Sequence, residues 1–159
     1  MTGLCVAQFK REIVAPTLDY IGLGGDSAVN LLTGTALVES GVVYLRQING
    51  PARGLWQMEP FTHDDIWATF LSDARMTSLL GAVLDLLSRW PSRVAQLPGN
   101  LPYACAMARL KYYRAPETLP AADDAAGQCR YWKTNYNTSL GAGVADGPHI
   151  ALFQRAIEA

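Results

Sequence analysis

The stretch from Ser27 to Gly41 constrains the fold more than any other part of this chain. Ala28, Leu31, Leu32, Thr35, Ala36 and Glu39 recur at intervals of three and four residues, the spacing that lines one face of an α-helix. Ser27 is a good N-cap for that helix, and Gly41 marks its end. Glu39 then falls on the apolar stripe in the last turn, held partly out of water and near the negative end of the helix dipole. Both effects favour the protonated carboxyl. Taken alone, the helix favours the plainer reading of an inert Glu at a frayed end.

A second stretch, Gly54-Leu-Trp-Gln-Met-Glu-Pro60, follows across a short, turn-rich insert and adds an aromatic, an amide and a second carboxyl. The order Glu39-Ser40-Gly41, then the loop Gly50-Pro51-Ala52-Arg53, then Gly54-Leu55-Trp56-Gln57 resembles the signature of the lysozyme-like superfamily. It is most similar to soluble lytic transglycosylases and goose-type lysozymes, in which a Glu-Ser ends a helix and Gly-Leu-Met-Gln follows a loop containing Gly or Ala. These motifs cover residues 27 to 60, so the remainder is judged on its own residues. The resemblance implies a mainly α, lysozyme-like single domain over residues 1–159, with at most a small β-hairpin or loop near 42–53. It also implies cleavage of the glycosidic bond between N-acetylmuramic acid and N-acetylglucosamine in peptidoglycan, by hydrolysis (a muramidase) or by transglycosylation.

Composition fits that expectation. At 159 residues and 50% hydrophobic content the chain has the size and apolar residues for one compact core. With 13 Lys and Arg against 14 Asp and Glu, the net charge of −1 gives no electrostatic reason to expect nucleic acid or an anionic membrane as the main partner. Cys5, Cys105 and Cys129 are odd in number, lack metal-site spacing and read as reduced thiols. Residues 1–14 do not resemble a signal peptide, and no stretch approaches the roughly 20 apolar residues of a membrane span. The expectation is synthesis in the cytoplasm. The resemblance, together with Tyr131-Trp-Lys-Thr-Asn-Tyr-Asn-Thr138, suggests a bacteriophage protein, virion-associated or delivered to the host wall, with glycan strands and other virion proteins as partners.

Along the chain, Ile13, Val14, Leu18 and Ile21 outline a short first helix with Pro16 near a break. Val42 to Arg46 is strand-like, and Asn49-Gly50-Pro51 is a turn signal. Thr62-His-Asp-Asp65 reads as a helix start in capping-box style, with Asp64 and Asp65 as dipole partners. Leu79 to Trp90 is apolar nearly all round, which predicts a central buried helix ending before Pro91. Asn100 caps a helix through Tyr113, a further helix covers about 121–135, and the last begins near Pro148.

Breaking a glycosidic bond requires an acid that protonates the leaving oxygen, and Glu39 is the residue placed for it. Glu59 is the second candidate catalytic carboxyl, because goose-type lysozymes carry an acid at the matching place and many transglycosylases an apolar residue. In direct hydrolysis the two carboxyls would stand roughly 6.5–9.5 Å apart, with room for a water between. The competing role for Glu59 is a solvated carboxylate capping the next helix. The resemblance implies that Ser40 orients the cleft or the sugar and that Gln57 bonds to N-acetyl groups. Tyr44 or Trp56 would stack on a sugar face, with core packing the stronger alternative for Trp56. Tyr136-Asn137-Thr138 is similar to the Tyr-Asn-Ala-Gly segment that closes the transglycosylase cleft, with Thr in place of Ala and the glycine displaced. Tyr136 would there contact sugar or hold Glu39, against a role in the core. His63 and His149 lack ligand spacing, so the expectation is no metal and no cofactor. The rival to catalysis is a lysozyme-shaped structural or binding component of a phage particle.

Overall fold

The computed structural model describes residues 3–137 and 145–159. The glycine-punctuated run 138–143 read from the sequence lies outside them. The chain is mainly α, with seven helices among the described residues. Helix α1 is continuous through Val6–Phe9, a wider π-helical stretch Lys10–Val14, and Ala15–Tyr20. It begins before the apolar residues that announce it, and Pro16, expected near a break, lies inside the continuous helix directly after the π-helical stretch, where the regular bonding ladder is already interrupted. Helix α2 is Asp26–Ser40, and α3 is Pro60–Asp65 continuing as the π-helical Ile66–Leu71. Then come α4 (Thr77–Asp85), α5 (Leu101–Tyr113), α6 (Ala125–Asn135) and α7 (Gly147–Glu158).

The centre of the molecule is α2. Every residue from Ala28 to Leu37 is buried, including Asn30, Thr33 and Thr35, so the helix has no solvated face until its last turn. Two of those hydroxyls are satisfied within the helix, Thr33 donating to the Val29 carbonyl and Thr35 to that of Leu31, both at 2.7 Å. The expected cap at Ser27 is corrected: the helix starts at Asp26, and Gly25, at φ 99°, is the N-cap without any side-chain bond. A glycine takes that backbone angle freely, and the turn into α2 requires it.

Helix α5 is the second buried element, with Tyr103 to Leu110 and Tyr112 out of solvent. Its cap is the expected one, the Asn100 side chain accepting from the Tyr103 N–H at 3.1 Å. Helices α6 and α7 begin in the same manner, at Asp124 accepting from Gly127 and Asp146 accepting from His149. One continuous apolar cluster runs from Val6 to Ala156 and takes in the aromatic rings of Trp56, Trp132, Tyr103, Tyr112 and Phe153.

The expected central helix at 79–90 is corrected. Helix α4 stops at Asp85, only Val83 on it is fully buried, Leu84 is exposed, and Trp90 stands outside it at 83% exposure. An apolar run of that length marks burial only when other elements cover it, and here α2 and α5 already occupy the centre. The start of α3 is also corrected from Thr62 to Pro60 at the first helical position, preceded by Glu59 as N-cap.

Between α2 and α3, no strand forms among the described residues. Val42 sits in the left-handed region at φ 57° directly after Gly41 at φ 63°, which bends the chain away from extension. What remains of the expected hairpin is a pair of isolated antiparallel bridges, Arg46 to Arg53 and Arg53 to Met58. The Asn49-Gly50 turn is present, with Asn49 at φ 59°. This compact loop returns the chain to the end of α2.

Candidate active site around Glu39

Ser40 joins the two sequence motifs. Its buried hydroxyl donates to the Leu55 carbonyl at 2.7 Å and accepts from the Val42 N–H at 3.2 Å, with the Ala36 carbonyl also in reach at 3.1 Å. The end of α2 and the 54–58 loop are therefore pinned to each other, with Ser40 shaping the site from beneath. Trp56 continues that attachment: it is 1% exposed, and its indole N–H donates to the Leu32 carbonyl at 2.8 Å. The ring packs in the core against Phe9, so it presents no face to a ligand and takes the packing role. Gln57, at φ 46°, turns its amide onto the Gly54 carbonyl at 2.8 Å and toward that of Tyr44 at 3.4 Å. Tyr44 itself is 40% exposed, the one predicted aromatic with a free face.

Glu39 lies in the last turn of α2, partly buried like Val38 before it, just past the wholly buried run that ends at Leu37. Trp132 on α6 donates its indole N–H to Oε1 of Glu39 at 2.8 Å. Burial pushes the Glu39 pKa up; the bonds from Trp132 and Asn137 and the charges of Lys111 and His149 oppose that without cancelling it. The result is a carboxyl that keeps its proton to higher pH than an ordinary Glu and is held in one orientation.

Tyr136 does not hold Glu39. Its hydroxyl donates to the Trp56 carbonyl at 2.7 Å, and the ring is buried beside Tyr112, 5.1 Å between centroids. The Tyr112 hydroxyl meets Thr35 Oγ1 at 2.7 Å, so a hydroxyl pair joins α2 to α5, and ring packing joins α5 to the end of α6. Glu59 is exposed at the N-cap of α3, and its side chain makes no bond to that helix. Its negative field, like that of Glu39, reaches the ammonium of Lys111.

Three residues of this site went unread in the sequence. Trp132 precedes Tyr136 by four residues, which places both on one face of α6, a signal that was available. Lys111 interrupts a helix that is otherwise buried from Tyr103 to Tyr112, and a lone lysine in such a run is itself a mark. His149 stacks on the far side of Trp132, with centroids 5.5 Å apart and planes at 22°. Nothing in its spacing announced that. Its Nδ1 pairs with Asp146, whose carboxyl is held below the usual range by that bond.

His63, the other histidine, is buried away from Glu39 in a network of its own. Its Nδ1 bonds Asp64 at 2.8 Å and its Nε2 meets the Tyr103 hydroxyl at 2.7 Å, which also accepts from the Trp67 indole at 2.9 Å. A neutral ring with its proton on Nδ1 satisfies every partner, and burial lowers the His63 pKa in keeping with that form. Asp65, expected as a dipole partner, pairs instead with Arg114 at 2.8 Å. Cys105 is fully buried, Cys129 is buried, and all three cysteines are free. Among the described residues, no group of His, Cys, Asp and Glu could hold a metal, and no helix is long and apolar enough to cross a membrane. Comparison with protein-family models, curated proteins and solved structures finds no match to this chain.

Proposed function

We propose that this protein cleaves the glycosidic bond between N-acetylmuramic acid and N-acetylglucosamine in peptidoglycan, with Glu39 as the general acid. The observation that carries the reading is the setting of Glu39: a partly buried carboxyl, oriented by the Trp132 indole at 2.8 Å, whose burial raises its pKa above that of an ordinary Glu. A glycosidic oxygen leaves as an alkoxide unless a proton is delivered as the bond breaks, and the acid must still be protonated at the working pH to deliver it. The resemblance of Glu39-Ser40-Gly41 and Gly54-Leu55-Trp56-Gln57 to the lysozyme-like pattern supports the same substrate. The hydroxyl of Ser40 on the Leu55 carbonyl gives that pattern a physical purpose, since it fixes the loop against the helix that carries the acid. Exposed Tyr44 and the half-exposed amide of Gln57 are the groups left to meet the sugar. Delivery to a wall from a phage particle belongs to the same proposal.

The test is turnover of purified sacculi by the wild-type protein beside Glu39→Gln. The amide is nearly isosteric and can still accept the Trp132 bond, but it has no proton to transfer. Clearing by the wild type and its loss in a folded Glu39→Gln protein is the expected result. Clearing by both removes Glu39 from the mechanism; clearing by neither, with both folded, leaves a lysozyme-shaped binding or structural component.

A further inference from the structure

A cavity of about 550 Å³ opens between α3 and the single 3-10 turn Arg93–Gln96, and none of its lining residues belongs to the Glu39 site. Helix α3 supplies Asp64, Trp67 and Ala68, the start of the turn supplies Ser92, Arg93 and Val94, and buried His63 lies among them. Both sides are held in place. The Trp67 indole is fixed by its bond to the Tyr103 hydroxyl at 2.9 Å. The buried Gln96 side chain grips the chain leading into the turn, accepting from the Ser88 N–H at 2.9 Å and donating to the Ser88 and Pro91 carbonyls at 2.9 and 2.8 Å. A site whose walls are set before a ligand arrives loses less conformational freedom on binding it.

The cavity holds two opposite charges that are not paired with each other. Arg93 lays its guanidinium over the Trp67 ring, 3.9 Å from the centroid. Among the described residues no carboxyl stands within ion-pair reach of Arg93 and no group accepts from its N–H donors. The Asp64 side chain is 71% exposed, and its bond from His63 Nδ1 at 2.8 Å falls on Oδ1, which leaves the other oxygen open. Ser92 adds an exposed hydroxyl beside Arg93. A simple anion would satisfy the guanidinium fork and meet the Asp64 charge as a repulsion, and a simple cation would do the reverse. We propose that this cavity binds an α-amino-acid zwitterion, its carboxylate on Arg93 and Ser92, its ammonium on Asp64 and its side chain along Ala68 and Val94. A carboxylate and an ammonium on one carbon place a partner against each of the two charges at once. The site shares no residue with the Glu39 chemistry, so the inference goes beyond the proposed function and does not depend on it.

The measurement is an NMR titration of the full chain, read at the Trp67 indole N–H and the Ala68 amide, with L-leucine and with the same carbon skeleton carrying one charge only, as isocaproate or as isoamylamine. Leucine should shift both signals and bind about tenfold or more tighter than either, since each single-charge probe forfeits one charge-assisted bond. Arg93→Gln and Asp64→Asn should each weaken leucine by about the same factor and exchange the ranking of the other two. Asp64→Asn, freed of the repelling carboxylate, should take isocaproate better than the wild type does, and Arg93→Gln should take isoamylamine better. Local unfolding weakens all three probes alike and produces no such exchange. A wild type that does not distinguish leucine from the single-charge probes, variants that keep the wild-type ranking, or no shift with leucine up to its solubility would overturn the proposal. A diaminopimelate-containing muropeptide, titrated into Glu39→Gln so that nothing is cleaved, separates the two sources of the zwitterion. Tighter binding than leucine assigns the site to a wall peptide, equal or weaker binding to a free amino acid, and both uphold it. Leucine binding by a protein that never clears sacculi would uphold the site and end the catalytic reading.

Discussion

A carboxyl whose pKa is raised by burial weakens the fold once the solution is alkaline enough to ionise it, and Glu39 is such a group. Its folded pKa is raised above that of the unfolded chain by burial, so between the two values the folded state holds a proton that the unfolded state has lost. Stability is then fully present below the ordinary Glu range and falls as the pH rises through the raised folded value. Glutamine cannot ionise, so Glu39→Gln should melt above the wild type at pH beyond that value, and the two should converge in acid. Melting curves recorded across pH check this, and a constant gap at all pH would contradict it. Ser40 makes the opposite case, a polar side chain on which the fold depends. Ser40→Ala leaves the buried Leu55 carbonyl without its 2.7 Å donor and should cost about 1–3 kcal/mol in denaturant unfolding. Both residues stood in the sequence motif, as did Leu55, the partner of Ser40; the partner of Glu39 did not, because Trp132 reaches it from 93 residues away and only tertiary packing makes that contact.

At the scale of elements, the sequence marked one cap, Asn100, and misplaced two, at Ser27 and Thr62. Asn100 was legible because a cap is a local bond between a side chain and an N–H three residues on. Which helix lies at the centre was not, since α4 is as apolar as a core helix yet has Leu84 in solvent, whereas α2 carries four buried polar residues, Asn30, Thr33, Thr35 and Ser40, and no exposed stripe. Burial is decided by what covers a helix, and α2 is covered on one side by α7. Gly34 faces Phe153 there so closely that a Cβ at position 34 would collide with the fully buried ring. Alanine is the better helix former by roughly 1 kcal/mol, but overpacking a rigid aromatic contact costs about 1–3 kcal/mol. Gly34→Ala should therefore lower the melting temperature. A rise would mean that α7 can back away from α2 without loss.

Across the whole molecule, the site is assembled from elements far apart in the chain: the end of α2 with its acid, the loop with Gln57, the start of α3 with Glu59, Lys111 from α5 and Trp132 from α6. On the proposed reading, what that assembly would do to a sugar turns on Glu59, which is exposed and makes no side-chain bond to the helix it caps. A carboxylate not engaged by its own helix is available to take a proton from water. In transglycosylation the muramic hydroxyl attacks internally, and no such base is required. If Glu59 is that base, the course is hydrolysis. Muropeptides released from sacculi should carry reducing ends by mass spectrometry, and Glu59→Gln should depress the rate strongly, on the order of a hundredfold or more for loss of a positioned base, while binding to sacculi survives. Anhydromuropeptides, with Glu59→Gln close to wild-type rate, would instead make Glu59 a spectator at the helix start and leave Glu39 to act as both acid and base.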